Sequence, residues 1–386
     1  MIHIDYQKHN EEVKLFLKQY DEEINPRIRM SIACNPRIIL LNSDLNPDGI
    51  TFEKYFNDPS VMLDIQMKFM EYVACNIVFD HVMGMEETEF TAYPDFQNIL
   101  EPCWLGASVF YPDKSDSATR SFLTDDNKAD IFKKGNINPF GGIMQKAMAC
   151  YHYFIEQQKA GFTYKGKPLS NIGTPGLGTD GPFTNACSLR GATGMCIDLY
   201  EDPVYAHELM AYITENTILR IRALRKLFGL PNKTPNMAIA DDSIAMLSSE
   251  DYIRFVLPFH KQILNELTTG EQPNIIHLCG DATRHFSTIA KELNADYFDT
   301  GFPVDHCEIV KELGNEVTVA GGVHVDLLHS GTVAEIVGET RRILEAVKPY
   351  SRRFIIKEAN NLTPGTAPEH LLAMYQAVKK YGMETA

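Results

Sequence analysis

The second half of the chain repeats one pattern, in which a short apolar run ends in polar residues and a helix-like stretch follows. Five such units succeed one another between residues 235 and 381. Parallel strands need a long connection, usually a helix, so this repeat predicts an α/β fold with a parallel sheet. The apolar runs lie at 235–240, 275–279, 297–298, 317–320 and 354–356.

A closed (β/α)8 barrel of the TIM type accommodates these units best, with two further strands near residues 77 and 170. We expect 76–82 to form the first barrel strand. An open doubly wound sheet is the alternative, but it normally carries a glycine-rich dinucleotide or phosphate motif, which is absent. We therefore predict a helical N-terminal extension over 1–75, packed on a barrel over 76–386 with an irregular, lid-like insertion at about 90–141.

Charge and hydropathy exclude two kinds of partner. The chain has 36 Lys and Arg against 51 Asp and Glu, a net charge of -15, with no basic run. Neither a nucleic acid nor an anionic membrane surface is therefore expected to bind. The N-terminus lacks the basic and apolar regions of a signal peptide, and no stretch is apolar enough to span a bilayer. We expect a cytoplasmic protein.

Polar residues follow the predicted strands, and the carboxyl ends of barrel strands meet at one face, where such barrels hold their active sites. A single Asp at such an end is more often a helix cap or a loop hydrogen-bonding group. The coincidence of many favours a functional site. The polar residues are Asp80, Glu86, Asp241, Asp242, His277, Cys279, Asp281, Asp299, His324, Glu358 and Asn360.

His277 and Cys279 stand two residues apart on an extended run, so their side chains point the same way. Imidazole nitrogen and thiolate sulfur are typical zinc ligands. The other seven cysteines are scattered, and we interpret most of them as small buried hydrophobes. The stretch around His277 therefore predicts a metal site that needs at least one more ligand.

The glycine-rich loop at 174–183 allows a ligand to approach the backbone closely. Its glycine spacing matches neither the dinucleotide-binding motif nor the phosphate-binding P-loop, so a phosphate cradle is weakly supported. A substrate-lining role and a purely structural one remain equally open.

Several motifs together make the chain resemble the uroporphyrinogen decarboxylase superfamily, over roughly 180–380 well and over the first half loosely. The motifs are Pro182-Phe183-Thr184, Leu189-Arg190-Gly191, Asp198-Leu199-Tyr200-Glu201-Asp202-Pro203, Asp241-Asp242, His277-Leu278-Cys279-Gly280, Val304-Asp305 and Leu362-Thr363-Pro364-Gly365-Thr366. Within the superfamily, the chain is most similar to zinc-dependent corrinoid methyltransferases of the methylcobamide:coenzyme M type. These hold zinc through His-x-Cys, whereas the arginine motif with which the decarboxylases hold tetrapyrrole carboxylates is not visible around Arg27, Arg29 and Arg37.

The resemblance implies a zinc site of His277, Cys279 and a second Cys ahead of the final proline-rich loop. Asn360 occupies that position here, and no Cys lies near it. Glu358, two residues earlier on the same strand, is our candidate third ligand, with Asp281 and His324 as alternatives. An oxygen ligand in place of sulfur makes the site harder, which favours oxygen-containing substrates.

The resemblance thus predicts a methyltransferase that moves a methyl group between a small substrate, such as a methoxylated compound, and a corrinoid. The chain has no Asp-x-His-x-x-Gly corrinoid motif, so a separate corrinoid protein would be the partner. Relatives are often dimers, so a homodimer is also expected. The candidate catalytic residues are Asp241, Asp242, Asp299 and His324, and the candidate substrate-binding residues are Trp104, Tyr297, Phe302 and Asn360.

Two other functions stay open from the sequence. One is a metal-free decarboxylase or lyase on the same barrel, in which His277 and the aspartates bind an acid. The other is a barrel that binds a small molecule without catalysis.

Overall fold

Six parallel strands form the main sheet of the protein. The computed structural model describes residues 4–22, 24 and 27–383, and within them the sheet has the order β1-β11-β10-β9-β8-β7. A second sheet has the order β2-β6-β5, and β3 and β4 form a hairpin. The strands are β1 (Arg29–Met30), β2 (Phe90–Ala92), β3 (Ser108–Phe110), β4 (Ala118–Arg120), β5 (Thr163–Tyr164), β6 (Lys167–Ile172), β7 (Ala238–Ala240), β8 (Asn274–Leu278), β9 (Ala295–Thr300), β10 (Thr318–His324) and β11 (Ile355–Ala359).

Helices surround the sheets and supply the crossover connections. A π-helical turn, Tyr252–Val256, joins the helices Ser249–Asp251 and Leu257–Leu267. The α-helices are α1 (Tyr6–Asp21), α2 (Arg37–Leu40), α3 (Phe52–Asn57), α4 (Pro59–Asn76), α5 (Leu100–Leu105), α6 (Ile143–Lys159), α7 (Pro182–Arg190), α8 (Ala192–Glu201), α9 (Pro203–Leu227), α10 (Ser249–Asp251), α11 (Leu257–Leu267), α12 (Phe286–Glu292), α13 (His306–Leu313), α14 (Val325–Ser330), α15 (Val333–Val347) and α16 (Pro368–Tyr381). In the described part of the chain, every helix is too short or too polar to cross a membrane.

The parallel pair β2–β6 adds to the six strands of the main sheet and gives the eight parallel strands of a (β/α)8 barrel. Two backbone hydrogen bonds extend the ladder beyond the assigned strands. The Ala240 N–H donates to the Thr179 carbonyl at 3.2 Å, and the Asp80 N–H donates to the Met30 carbonyl at 3.2 Å. The predicted α/β fold of the TIM-barrel type is therefore confirmed.

Local sequence signals start the crossover helices that the repeat predicted. Asp305 caps α13 by accepting from the Glu308 N–H at 3.0 Å. Thr332 and Glu335 form a reciprocal capping box at the start of α15. Helices cover the outer face of the barrel, and β10 is buried at every position except His324, as expected for a parallel strand covered on both faces.

The N-terminal half departs from the sequence expectation. The stretch 76–82 forms no strand, and the first strand is β1, which pairs with β11. The side chain of Asp80 adds to its backbone hydrogen bond in holding that stretch, since the Asp80 carboxylate accepts from the Met30 N–H at 2.6 Å and pairs with Arg27 at 2.5 Å. Residues 1–75 thus supply helices and also a barrel strand, and the region 90–141 begins with β2 in the barrel wall.

Candidate metal and substrate site

Three side chains with different donor atoms converge at the carboxyl ends of β7 and β8. The His277 Nε2 lies 3.2 Å from the Cys279 Sγ and 3.9 Å from the Asp242 Oδ1. One ligand atom from each of the three residues falls within 4.8 Å of the others. Nitrogen, sulfur and carboxylate oxygen form a donor set that zinc accepts, and three protein ligands leave a position open for substrate.

Close packing of the strand ends brings these residues together. The Asp242 Oδ1 accepts from the Cys279 N–H at 2.7 Å, which joins the end of β7 to the end of β8. Gly301, just after β9, passes so close that an added Cβ would lie 2.7 Å from the Cys279 Cα. A glycine is therefore required there for β9 to approach the site.

A buried cation and a carboxylate orient His277. The His277 Nδ1 lies 2.8 Å from the Asp299 Oδ2, and the Lys357 Nζ donates to the Asp299 Oδ1 at 2.6 Å. Burial opposes the charged imidazole, but hydrogen bonds with Asp299 and Cys279 outweigh it and raise the pKa of His277 to about 10. A metal ion on Nε2 requires the proton on Nδ1, and Asp299 is placed to accept that hydrogen bond. Lys357, which sequence reasoning did not single out, completes this hydrogen-bonded series of side chains.

The two candidate residues near the end of β11 lie in different surroundings. The Asn360 Oδ1 is 3.3 Å from the Cys279 Sγ, at the site. Glu358 is fully buried, and both of its oxygens are 3.1 Å from the Ala33 N–H. The two residues do not share a face because the strand ends at Ala359 and Asn360 has a φ of 90°. Asp242, and not Glu358, therefore stands with His277 and Cys279, and Asp281 and His324 are likewise outside that group.

Asp241 is fully engaged in holding α7. It is 1% exposed, and its oxygens accept from the Phe183 N–H at 3.1 Å and from the Thr184 N–H and hydroxyl at 2.7 Å. The His260 Nε2 lies 2.9 Å from the same carboxylate, with the Tyr252 hydroxyl 3.2 Å from its other nitrogen. This pattern fits a carboxylate that caps a helix, and of the adjacent pair only Asp242 faces the site.

The remaining predicted residues are spread around the barrel. The rings of His324 and Phe302 lie 3.9 Å apart at the ends of β10 and β9, and Phe302 is half exposed. Tyr297 is on β9, two residues before Asp299, and burial raises its pKa. Trp104 is 4% exposed, and its Nε1 donates to the Asn138 carbonyl at 3.0 Å. The tryptophan is thus part of the core and does not line the site.

A cavity of about 330 Å³ opens beside His277. The glycine-rich loop forms one of its walls, with four residues of the loop at its surface. The lining residues are Gln97, Leu100, Glu101, Gly176, Gly178, Thr179, Asp180, Ala238, Ile239, Ala240 and His277. The cavity has a volume suited to a small molecule.

A buried ion pair fixes the loop wall of the cavity. The Arg220 Nη2 donates to the Glu101 Oε1 at 2.5 Å and to the Gly178 carbonyl at 2.7 Å. The Glu101 Oε2 in turn accepts from the Asp180 N–H at 2.5 Å and from the Asn185 amide at 3.1 Å. Sequence reasoning missed Arg220 and Glu101, because they lie on α9 and α5, far from the loop along the chain.

The Asp180 carboxyl faces other acids. Burial, followed by the charges of Glu101 and Asp242, raises its pKa to about 7. Asp180 closes the loop that the sequence marked as glycine-rich, and this position was its only signal. The group is able to accept or donate a proton near neutral pH.

Comparison with known proteins agrees with this architecture. A sequence profile of the uroporphyrinogen decarboxylase (URO-D) family matches residues 176–381, just over half of the 386 residues. A methylated-thiol–coenzyme M methyltransferase from Methanosarcina mazei is 29% identical over 204 residues, which are 52% of this chain and 51% of that protein. A uroporphyrinogen decarboxylase from Myxococcus xanthus is 26% identical over 186 residues, 48% of this chain and 50% of that one.

The chain spans about half the length of these curated relatives in the matched regions. A solved structure of a methyltransferase from Methanosarcina mazei superimposes with a TM-score of 0.60 at 15% identity, covering 92% of this chain and 94% of that one. At this identity the likeness concerns the fold. The profile match, which takes in the loop, the ends of β7 to β11 and the final helix, shows that the chain belongs to the uroporphyrinogen decarboxylase family.

Proposed function

We propose that this protein is a zinc-dependent methyltransferase that moves a methyl group between a small substrate and a separate corrinoid protein. The observation that carries the proposal is the group of Asp242, His277 and Cys279, whose ligand atoms lie within 4.8 Å of one another. A substrate cavity lies directly beside it, with His277 in its lining. The similarity to a methylated-thiol–coenzyme M methyltransferase supports the same reaction class.

The donor chemistry of this group fits zinc. It offers one nitrogen, one sulfur and one oxygen ligand, and the side chains of His277 and Asp242 are 31% and 41% exposed, so a substrate can reach the site. We propose Asp242 as the third ligand in place of Glu358, whose oxygens are turned to Ala33. Zinc bound there would favour the ionised form of a coordinated thiol or alcohol and so assist methyl transfer to or from it.

The residues around the ligands would set their geometry. Asp299, held by Lys357, accepts the Nδ1 proton of His277 and keeps Nε2 directed at the ligand group. The Asn360 amide lies against the Cys279 sulfur and would take the place at which related methyltransferases carry their second Cys. The cavity would hold the substrate so that its methyl group lies beside the ligands.

The partner would dock over the barrel mouth, where the cavity and the strand ends meet. A corrinoid protein and a homodimer remain predictions from the resemblance, and a cytoplasmic location remains a prediction from the sequence of the N-terminus and the hydropathy. Phe302 and His324, on the opposite rim, are candidates for contact with the partner or the substrate.

Metal content and methyl transfer together test the proposal. Protein purified without chelator should hold about one equivalent of zinc, and Cys279→Ser should lose it. Transfer is followed by the absorbance change of cob(I)alamin with thiols, methylamines and methoxyarenes as donors, and Cys196→Ser serves as control because Cys196 lies on α8, away from the ligand group. Zinc below about a tenth of an equivalent, unchanged by Cys279→Ser, would favour the metal-free lyase.

A further inference from the structure

We infer that the cavity beside His277 selects small methyl compounds that are uncharged or cationic, and that it excludes those carrying a carboxylate or a sulfonate. The inference names the substrate class of the proposed methyltransferase and rests on that function for the reaction itself. It depends on the observation that each cation near the cavity is paired with an acidic side chain of the protein.

Cationic side chains near the cavity are already paired. The described residues that line the cavity include no Lys or Arg. Arg220 contacts two lining residues and pairs with Glu101 at 2.5 Å through Nη2. Its Nε and Nη1 have no hydrogen-bond partner among the described residues, but the whole side chain is buried, so a substrate in the cavity does not reach them. Arg37 contacts the lining residue Gln97 at 2.6 Å, and its Nε lies 3.3 Å from an Asp116 carboxylate oxygen. Neither guanidinium is free to bind an anionic substrate.

The same holds on the ligand side of the cavity. The Lys357 side chain is 5% exposed and pairs with Asp299 at 2.6 Å. The two positive charges of a zinc ion would be matched by Asp242 and by Cys279 in its thiolate form. His277 holds the zinc ion as a neutral imidazole. The zinc-loaded site therefore offers no positive charge in excess.

Asp180 adds a further acid to the cavity, and Arg220, the cation that acts on it, is already paired with Glu101. Asp180 lines the cavity, and among the described residues its side chain receives no hydrogen bond. An ionised carboxylate there repels a substrate anion and attracts a cation, while a protonated one offers a hydrogen bond to a neutral donor or acceptor. In neither form does it supply the positive charge that a buried carboxylate or sulfonate needs.

The cavity volume is suited to small compounds. At about 330 Å³, it lies at the lower end of the range of roughly 300–1,000 Å³ for small-molecule sites. A single-ring methoxyarene or a methylated amine matches this volume. The volume and the charges of the cavity thus favour the same class of compound.

Paired probes that differ by one carboxylate test the inference without relying on methyl transfer. Guaiacol and vanillate are both methoxyphenols, and only vanillate carries a carboxylate. Binding of each to the zinc-loaded protein is measured by isothermal titration calorimetry and checked by ligand-observed NMR. We expect guaiacol to bind at least about tenfold more tightly, because the carboxylate would be buried beside acids with no free cation.

Variants locate the source of the preference. Asp180→Asn should reduce the guaiacol-to-vanillate affinity ratio by at least about threefold, because it removes the acid that opposes the anion. Asp126→Asn, an exposed aspartate away from the cavity, should leave the ratio unchanged. The wild-type ratio stands as a test by itself if the Asp180 variant does not fold.

The outcomes separate this inference from the proposed function. Equal affinities, tighter binding of vanillate, or no binding of either probe at millimolar concentration would overturn the inference. A guaiacol preference without methyl transfer from any donor would instead refute the methyltransferase and leave the charge selection standing. Methyl transfer that proceeds equally well from vanillate and guaiacol would refute the charge selection and leave the methyltransferase standing.

Discussion

The two walls of the barrel mouth carry similar polar residue types, which are partly exposed in one wall and buried in the other. The β7–β8 wall, defined by Asp242, His277 and Cys279, presents partly exposed ligand atoms to one another. The β11 wall, defined by Lys357 and Glu358, has its charged groups 5% and 0% exposed and bonded to Asp299 and Ala33. A carboxylate at a strand end is therefore available to a ligand only where the fold leaves it partly exposed, as at Asp242, even though its Oδ1 also accepts from the Cys279 N–H.

The largest expected effect concerns the β7–β8 wall. Replacing His277 by Ala removes the nitrogen ligand, and we expect the zinc affinity to fall at least about a hundredfold. Chelator competition at fixed pH measures the affinity, with Cys196→Ser as the control for handling of the protein. A change of less than about threefold would contradict the assignment of the site.

The next effect distinguishes the two walls directly. We expect Asp242→Asn to lower zinc affinity by about tenfold to a hundredfold, because the ligand loses its charge, and Glu358→Gln to change it by less than about twofold. Both substitutions preserve shape, so each is the matched control of the other in the same competition assay. The reverse ranking would return the third-ligand role to Glu358.

A smaller effect concerns the influence of the β11 wall on zinc binding at the β7–β8 wall. Lys357→Met removes the cation that holds Asp299 and through it His277, and we expect zinc affinity to fall about tenfold, the low end for a residue that orients a ligand. Lys357→Arg should recover part of this loss, because it restores the charge. A loss of folding without a change in affinity of the folded fraction would limit Lys357 to a structural role.

The smallest effect is a pH dependence confined to the β11 wall. Burial raises the pKa of Glu358 to about 8, above its value of roughly 4.3 in an unfolded chain. The folded state thus retains this proton longer, so the contribution of Glu358 to stability is complete below the unfolded pKa and is lost as the pH rises through the folded one.

Glu358→Gln cannot ionise, which isolates this contribution. Between about pH 5 and about pH 9, the free energy of unfolding of the metal-free wild type should fall relative to the variant by at least about 1 kcal/mol. Urea unfolding across that range measures it, and the exposed Glu271→Gln should follow the wild type. Parallel curves for wild type and Glu358→Gln would show that the carboxylate is stable when charged.

Sequence patterns predicted the second half of the barrel because its signals are local. Each strand from β7 to β11 lies within a few residues of an apolar run, and Asp305 and Thr332 mark helix starts as caps do in general. The pairing of His277 with Cys279 could also be predicted, because two residues that are two positions apart on a strand share a face. The first half gave weaker signals, since β1 has only the residues Arg29 and Met30 and its neighbour at 76–82 is held by Asp80.

Contacts between distant segments could not be predicted in this way. Asp241 and Asp242 are adjacent, and only the position of α7 decides that the first caps a helix while the second faces Cys279. The face shared by Glu358 and Asn360 was inferred from strand alternation, which ends one residue too early, at Ala359. Lys357 gave no separate signal, because its role depends on the register between β9, β10 and β11.

The buried pair of Arg220 and Glu101 means that the loop wall of the cavity is built when the protein folds. Glu101 lies 79 positions before Asp180, yet it accepts the Asp180 N–H and so fixes a loop that would otherwise be free to sample many conformations. Binding then orders little of the chain, so more of the contact free energy remains available as affinity. Substrate range in such a barrel should change by substitutions along α5 and α9 as readily as by substitutions in the loop itself.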